Sequence, residues 1–150
     1  MTDYIEQGRH LAEQYLEVCT MITTITDRMA EEYEALYELA YKAREMSLPE
    51  KNRGSASPVE SAVVLIEKMR NEMDGRYCRE VAELERKRMD IEGIVESAEL
   101  SAVEQQVFYL RYGIRRKRLS LEEIADMVFY SERHVKRVLD RCYLKIGVVV

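Results

Sequence analysis

Residues 119–146 read LSLEEIADMVFYSERHVKRVLDRCYLKI, and the spacing inside this stretch decides the fold. Ser120 precedes an apolar run of Leu121, Ile124, Ala125 and Val128, and Glu123 stands three residues after it, where a capping box places its acid. Ser131 opens a second run in which Val135, Val138, Leu139, Cys142 and Ile146 recur at helical spacing. Only Phe129 and Tyr130 remain between them for a turn. The pattern predicts helix, tight turn, helix, with the small Ala125 where the two helices approach. In a DNA-binding arrangement of this kind the second helix enters the major groove N-terminus first. Its outward residues there are Glu132, Arg133, His134, Lys136 and Arg137, beside the cap Ser131. Arg reads guanine edges, and Lys and Arg hold phosphates. Arg141 and Lys145 lie further along, in reach of a nucleic-acid backbone, and Ser120 marks the start of the preceding helix.

Upstream, Ser101 and Glu104 cap a short helix over residues 102–111 carrying Val107, Phe108 and Leu110. Tyr112-Gly113-Ile114 ends it, with Gly113 expected in the left-handed conformation that helix ends favour. Arg115, Arg116, Lys117 and Arg118 follow at once. This basic cluster reads as a phosphate-contacting or partner-docking loop, or as a solvated loop. The caps, the small residue, the apolar spacing and the RYG turn together resemble region 4 of primary bacterial sigma factors. The resemblance runs without gaps over residues 119–146, and EQQVFYLRYGI at residues 104–114 resembles the helix and turn that open that region. It implies a small bundle of short helices, contact of the last helix with the upstream (−35) promoter hexamer, and docking near the beta flap of bacterial RNA polymerase. The chain departs from that pattern at Phe129, where many helix-turn-helix proteins keep Gly or a small polar residue. An altered turn, or Phe129 packed on the N-terminal helices, is the expectation. Nothing resembles sigma region 2, so a stand-alone sigma factor is not expected.

Towards the N-terminus, Ala12, Tyr15, Cys19, Ile22, Thr26, Met29, Tyr33, Leu36, Ala40 and Ala43 alternate spacings of three and four, the rhythm of a coiled-coil seam. Leu11, Val18, Ile25, Leu39 and Met46 widen the stripe. Pro49 and the polar run to Ser57 end this helix. Ser57-Pro58-Val59-Glu60 then starts a second helix reaching to about residue 97, with Val63, Ile66, Met73, Tyr77, Val81, Leu84, Ile91 and Val95 on its apolar side. Gly75 and Gly93 weaken it. Two long helices with a short connection predict an antiparallel hairpin, either a packing scaffold or a dimerisation or partner-docking arm. One hairpin cannot bury both stripes, which favours self-association, and a homodimer is expected.

Charge divides the chain the same way. Residues 1–100 carry 13 Lys and Arg against 22 Asp and Glu, whereas residues 101–150 carry 10 against 6. An acidic body with a basic end points to nucleic acid at the end only, although the net charge is −5. Cys19, Cys78 and Cys142 are distant from one another, and with only His10 and His134 they form no metal-site spacing. There is no P-loop, no Gly-rich nucleotide motif and no catalytic constellation, so no enzyme, metal or cofactor is expected. Reduced thiols, a polar N-terminus and the lack of any long apolar run suggest a cytoplasmic protein without a membrane span.

These observations predict an all-α protein: a helical hairpin over residues 1–98 and a region-4-like helix-turn-helix domain over residues 99–150. The whole layout also resembles, more loosely, phage and prophage late-gene regulators of the ArpU and RinA type. The function expected is a DNA-binding transcription regulator that acts with bacterial RNA polymerase. A phage small terminase subunit, or a region-4 mimic that binds polymerase without DNA, are the alternatives.

Overall fold

Apolar residues spaced by three and four, with scarce Gly and Pro, produce helices throughout the described residues. The computed structural model describes residues 2–45, 58–113 and 118–150. Among the described residues five helices run in order: α1 (Thr2–Glu45), α2 (Pro58–Ser97), α3 (Ala102–Tyr112), α4 (Leu121–Val128) and α5 (Glu132–Val149). The fold is all-α, as the sequence predicts. The expected loop around Pro49, the Ser57 cap, Ile114 and the basic residues Arg115, Arg116 and Lys117 lie outside the described residues. No helix among the described residues is long and apolar enough to cross a membrane.

Compactness divides the chain at other places than the change of texture near residue 98. One unit joins residues 1–23 to residues 83–150, and the other is residues 24–82. The long helices α1 and α2 thus contribute to both.

In the first unit, α3, α4 and α5 pack on one another and on the opening turns of α1 and the closing turns of α2. Leu11, Ala12, Tyr15 and Val18 of α1 share a core with Ile91 and Val95 of α2, Val107, Phe108 and Tyr112 of α3, Ile124 and Ala125 of α4, and the apolar side of α5. Phe108 is fully buried, and truncating it to Ala would cost about 3–5 kcal/mol. The tyrosine hydroxyls of Tyr15, Tyr112 and Tyr143 inside this core are paired. Tyr15 donates from its hydroxyl to Glu92 at 2.7 Å, and the Tyr112 and Tyr143 hydroxyls bond to each other. Burial first, then the Tyr112 bond, pushes the Tyr143 hydroxyl above its ordinary range.

The short helices start as the sequence predicts. The Ser101 backbone N–H donates to Glu104 Oε1 at 2.8 Å while the Glu104 N–H donates to Ser101 Oγ at 3.3 Å, a complete capping box. The Glu123 N–H donates to Ser120 Oγ at 3.1 Å, and the His134 N–H to Ser131 Oγ at 3.1 Å. Each cap satisfies a donor that the first helical turn leaves free. The end of α3 differs from expectation. Gly113 has φ −76°, so it is not left-handed. Glycine serves there for space: a Cβ would lie 2.4 Å from the Tyr109 carbonyl oxygen, to which Gly113 donates its own N–H.

In the second unit, α1 and α2 run antiparallel. Arg76 of α2 meets Glu32 of α1 at 2.6 Å, and Tyr33 donates to Asp74. Ile25, Leu36 and Tyr77 are buried here, whereas Tyr37, Leu39, Tyr41, Val63, Val64 and Leu65 are exposed. Two helices alone leave the outer halves of both stripes uncovered.

Candidate nucleic-acid interface

The face of α5 follows from its periodicity. Val135, Val138, Leu139, Cys142 and Ile146 are buried at 3% exposure or less, pinning one side of the helix to α3 and α4. On the leading turns the positions between them then point outward. Ser131, Glu132, Arg133, Lys136, Arg137 and Arg141 are exposed, and four of these carry a positive charge. His134 is half-buried, its ring set edge-on against Tyr130 with centroids 4.5 Å apart. Tyr130 thus props the leading turn from the side of the preceding helix. Ser120 is exposed at the N-terminus of α4.

The turn between α4 and α5 keeps its geometry with an unusual residue. Phe129 adopts φ 60°, ψ 36°, the left-handed conformation. Its N–H and that of Tyr130 both close onto the Ala125 carbonyl. The expectation that Phe129 packs on the N-terminal helices is not met, because the side chain is 93% exposed. The left-handed backbone aims its Cβ away from the core, so the ring projects from the turn.

Two expected backbone contacts are held elsewhere. Lys145 reaches Glu104 Oε1 at 2.6 Å and is engaged inside the first unit. Glu104 is 4% exposed. Burial alone would raise its carboxyl, but the bonds from Lys145 and Ser101 hold it below the usual carboxylate range. Arg118, the described member of the basic cluster, is exposed and ion-paired with Glu13 of α1.

The structure also adds cations that sequence spacing did not single out. Arg9 of α1 lies over the Tyr143 ring, 5.3 Å from its centroid. Arg111 donates from Nη1 to the Leu119 carbonyl. Arg9 has no helix-turn-helix signal of its own, because it stands in the acidic half of the chain. Only tertiary packing brings it beside α5.

Capped helices, a left-handed turn and a second helix with buried apolar and exposed basic sides make up a helix-turn-helix. Residues 98–146 match the family model of sigma-70, region 4. The region-4-like segment is about a third of the chain and takes in α3, α4 and most of α5. No curated protein and no solved structure matches the chain. The region-4-like domain is a DNA-binding type of module, and its basic face is the one the sequence marks.

Proposed function

We propose that this protein is a transcription regulator that binds promoter-proximal duplex DNA through α4 and α5 and recruits or modulates bacterial RNA polymerase. One observation carries the reading: within a segment matching sigma-70 region 4, the leading turns of α5 present Arg133, Lys136 and Arg137 outward while Val135, Val138 and Leu139 anchor the helix. Arg133 and Arg137 are suited to base edges, and Lys136 and Arg141 to phosphates. Glu132 complements the positive N-terminus of α5.

The exposed apolar residues of the second unit support self-association. Leu39, Val63, Val64, Leu65 and Met69 would be covered in a homodimer, which would present two recognition helices to two half-sites. The protein acts in the cytoplasm, in this reading as a phage or prophage late-gene regulator of the ArpU or RinA type, without catalysis.

The test is duplex binding at stated salt. Wild-type protein should select a defined site from a randomised pool, and reversing the charges of Arg133, Lys136 and Arg137 together should abolish that selection. Unchanged affinity in the triple variant would end the DNA reading. Retained binding to RNA polymerase with no duplex binding would identify a region-4 mimic. A large ring by light scattering would identify a terminase-like packaging protein.

A further inference from the structure

The basic face does not stop at the segment that matches region 4. A cavity of about 260 Å³ lies beside the leading turns of α5, lined by α1, α3, Arg118, the first residue of α4 and α5 itself. Its charged lining is Arg9, Arg111, Arg118 and Lys136 against Glu13 and Asp140. Four cations around two carboxylates leave the cavity positive. Arg118 is bound to Glu13. Arg111 Nε is buried and finds no hydrogen-bond partner among the described residues. That N–H is shielded from solvent, so what Arg111 brings to the cavity wall is its charge.

We propose that this cavity is a seat for a backbone phosphate of duplex DNA, in which Arg9 extends the nucleic-acid interface onto α1. The proposal rests on the reading of α5 as a groove-binding helix. It adds that a helix outside the region-4-like segment takes part. Lys136 connects the two surfaces, since it is exposed on the leading turns of α5 and also lines the cavity. Arg9 is exposed, and the Tyr143 ring beneath its guanidinium sets its direction. A phosphate at this cavity would accept from Arg9 and Lys136 and would compete with Glu13 for Arg118, with the Arg111 charge in the wall behind. Such a contact reads no sequence. It fixes the register of α5 on the duplex.

The experiment measures binding of the full-length protein to several labelled duplexes over a range of salt. Arg9→Ala should weaken every duplex alike, about tenfold at low salt, and should reduce the slope of log affinity against log salt by about 0.9. Glu13→Gln, which frees Arg118 from a competing carboxylate, should tighten binding by about twofold to fivefold. Unchanged affinity and slope in Arg9→Ala, with the Arg133, Lys136 and Arg137 charge reversal still abolishing binding, overturns the seat and leaves the groove reading intact. If circular dichroism shows Arg9→Ala to be misfolded, Glu13→Gln decides, and no gain in affinity overturns the seat. If Arg9→Ala abolishes binding of inorganic phosphate but not of duplex, the cavity serves a free anion and the proposal fails. A wild-type protein that binds no duplex overturns both readings.

Discussion

A Cβ on Gly8 would lie 1.9 Å from the carbonyl oxygen of Tyr143, so α1 crosses α5 backbone against backbone. The same crossing recurs one turn along: a Cβ on Gly147 would lie 1.8 Å from the Tyr4 carbonyl oxygen. Both glycines are buried. The opening of α1 is thereby held to the end of the helix that presents the basic face.

This crossing sets the sign of glycine substitutions. In a free helix Gly→Ala gains about 1 kcal/mol from propensity. At Gly8 and Gly147 the added methyl meets backbone that cannot rotate away, and each Ala should destabilise by about 2–3 kcal/mol. Gly93 has nothing within 4 Å of its Cβ position, so Gly93→Ala should stabilise by about 0.5–1 kcal/mol. Urea unfolding of the three variants checks this. A Gly8→Ala midpoint at or above wild type would mean that the helices do not cross there.

The starts of α3, α4 and α5 were readable at Ser101, Ser120 and Ser131, because a cap is a local contact between residues three apart. The inward side of α5 was readable for the same reason, since periodicity is local. Gly8 and Gly147 gave no such signal. Their role depends on a partner more than a hundred residues away, and neither lies in a turn. Arg9 and Lys145 are alike in this respect. Spacing places Lys145 on α5, but only the buried Glu104 shows that its charge is engaged. At Gly113 the pattern predicts the right position for the wrong cause, because a helix-end glycine can be required by a left-handed backbone or by lack of room. The division at residue 98 follows texture and charge, whereas compactness follows the core that α1 and α2 share with α3, α4 and α5.

The Glu104–Lys145 pair predicts an acid sensitivity. The Glu104 carboxyl is held below the usual value of 4.5 in the folded chain. A carboxyl depressed by folding contributes stability that is complete above its unfolded value and is lost as pH falls through the folded value. Stability should therefore be level above about pH 5 and decline below it. Lys145→Met leaves a buried carboxylate with its Ser101 bonds alone and should cost about 2 kcal/mol at pH 7, less than a fully buried pair because Lys145 is partly exposed. The variant and wild type should converge only once the pH falls below the depressed folded value and the carboxyl protonates. Parallel stability curves at all pH values would show that the pair is not coupled to folding.

Phe129 carries a cost with no packing return. A left-handed conformation is unfavourable for an aromatic residue by about 1–2 kcal/mol, and a side chain 93% exposed contributes almost no burial. Phe129→Gly removes the strain and adds some freedom to the unfolded chain, so it should stabilise by about 0.5–1 kcal/mol. Phe129→Ala keeps the strained backbone and should be near neutral. Thermal unfolding of the two variants separates strain from side-chain contact: equal losses in both would mean that the ring is packed.

Cys19 and Cys142 report on the first unit without any ligand, and Cys78 of the second serves as the exposed reference. Cys142 is fully buried and its thiol faces the Glu104 carbonyl oxygen at 3.4 Å. Burial, then the Glu104 charge, pushes it up to about 12. Burial also raises the half-buried Cys19, while Cys78 is exposed on α2. Since the thiolate is the reacting species, a thiol reagent at pH 8 should modify Cys78 first, Cys19 slowly, and Cys142 only as often as α5 opens. Lys145→Met and Gly147→Ala loosen that helix by different contacts, so both should accelerate Cys142 and leave Cys78 unchanged. A duplex that binds the folded protein should slow Cys142 further, because binding lowers the population of open molecules. Modification of Cys142 as fast as Cys78 in the folded protein would mean that α5 is not anchored, and a basic face on a loose helix could not hold a register in a groove.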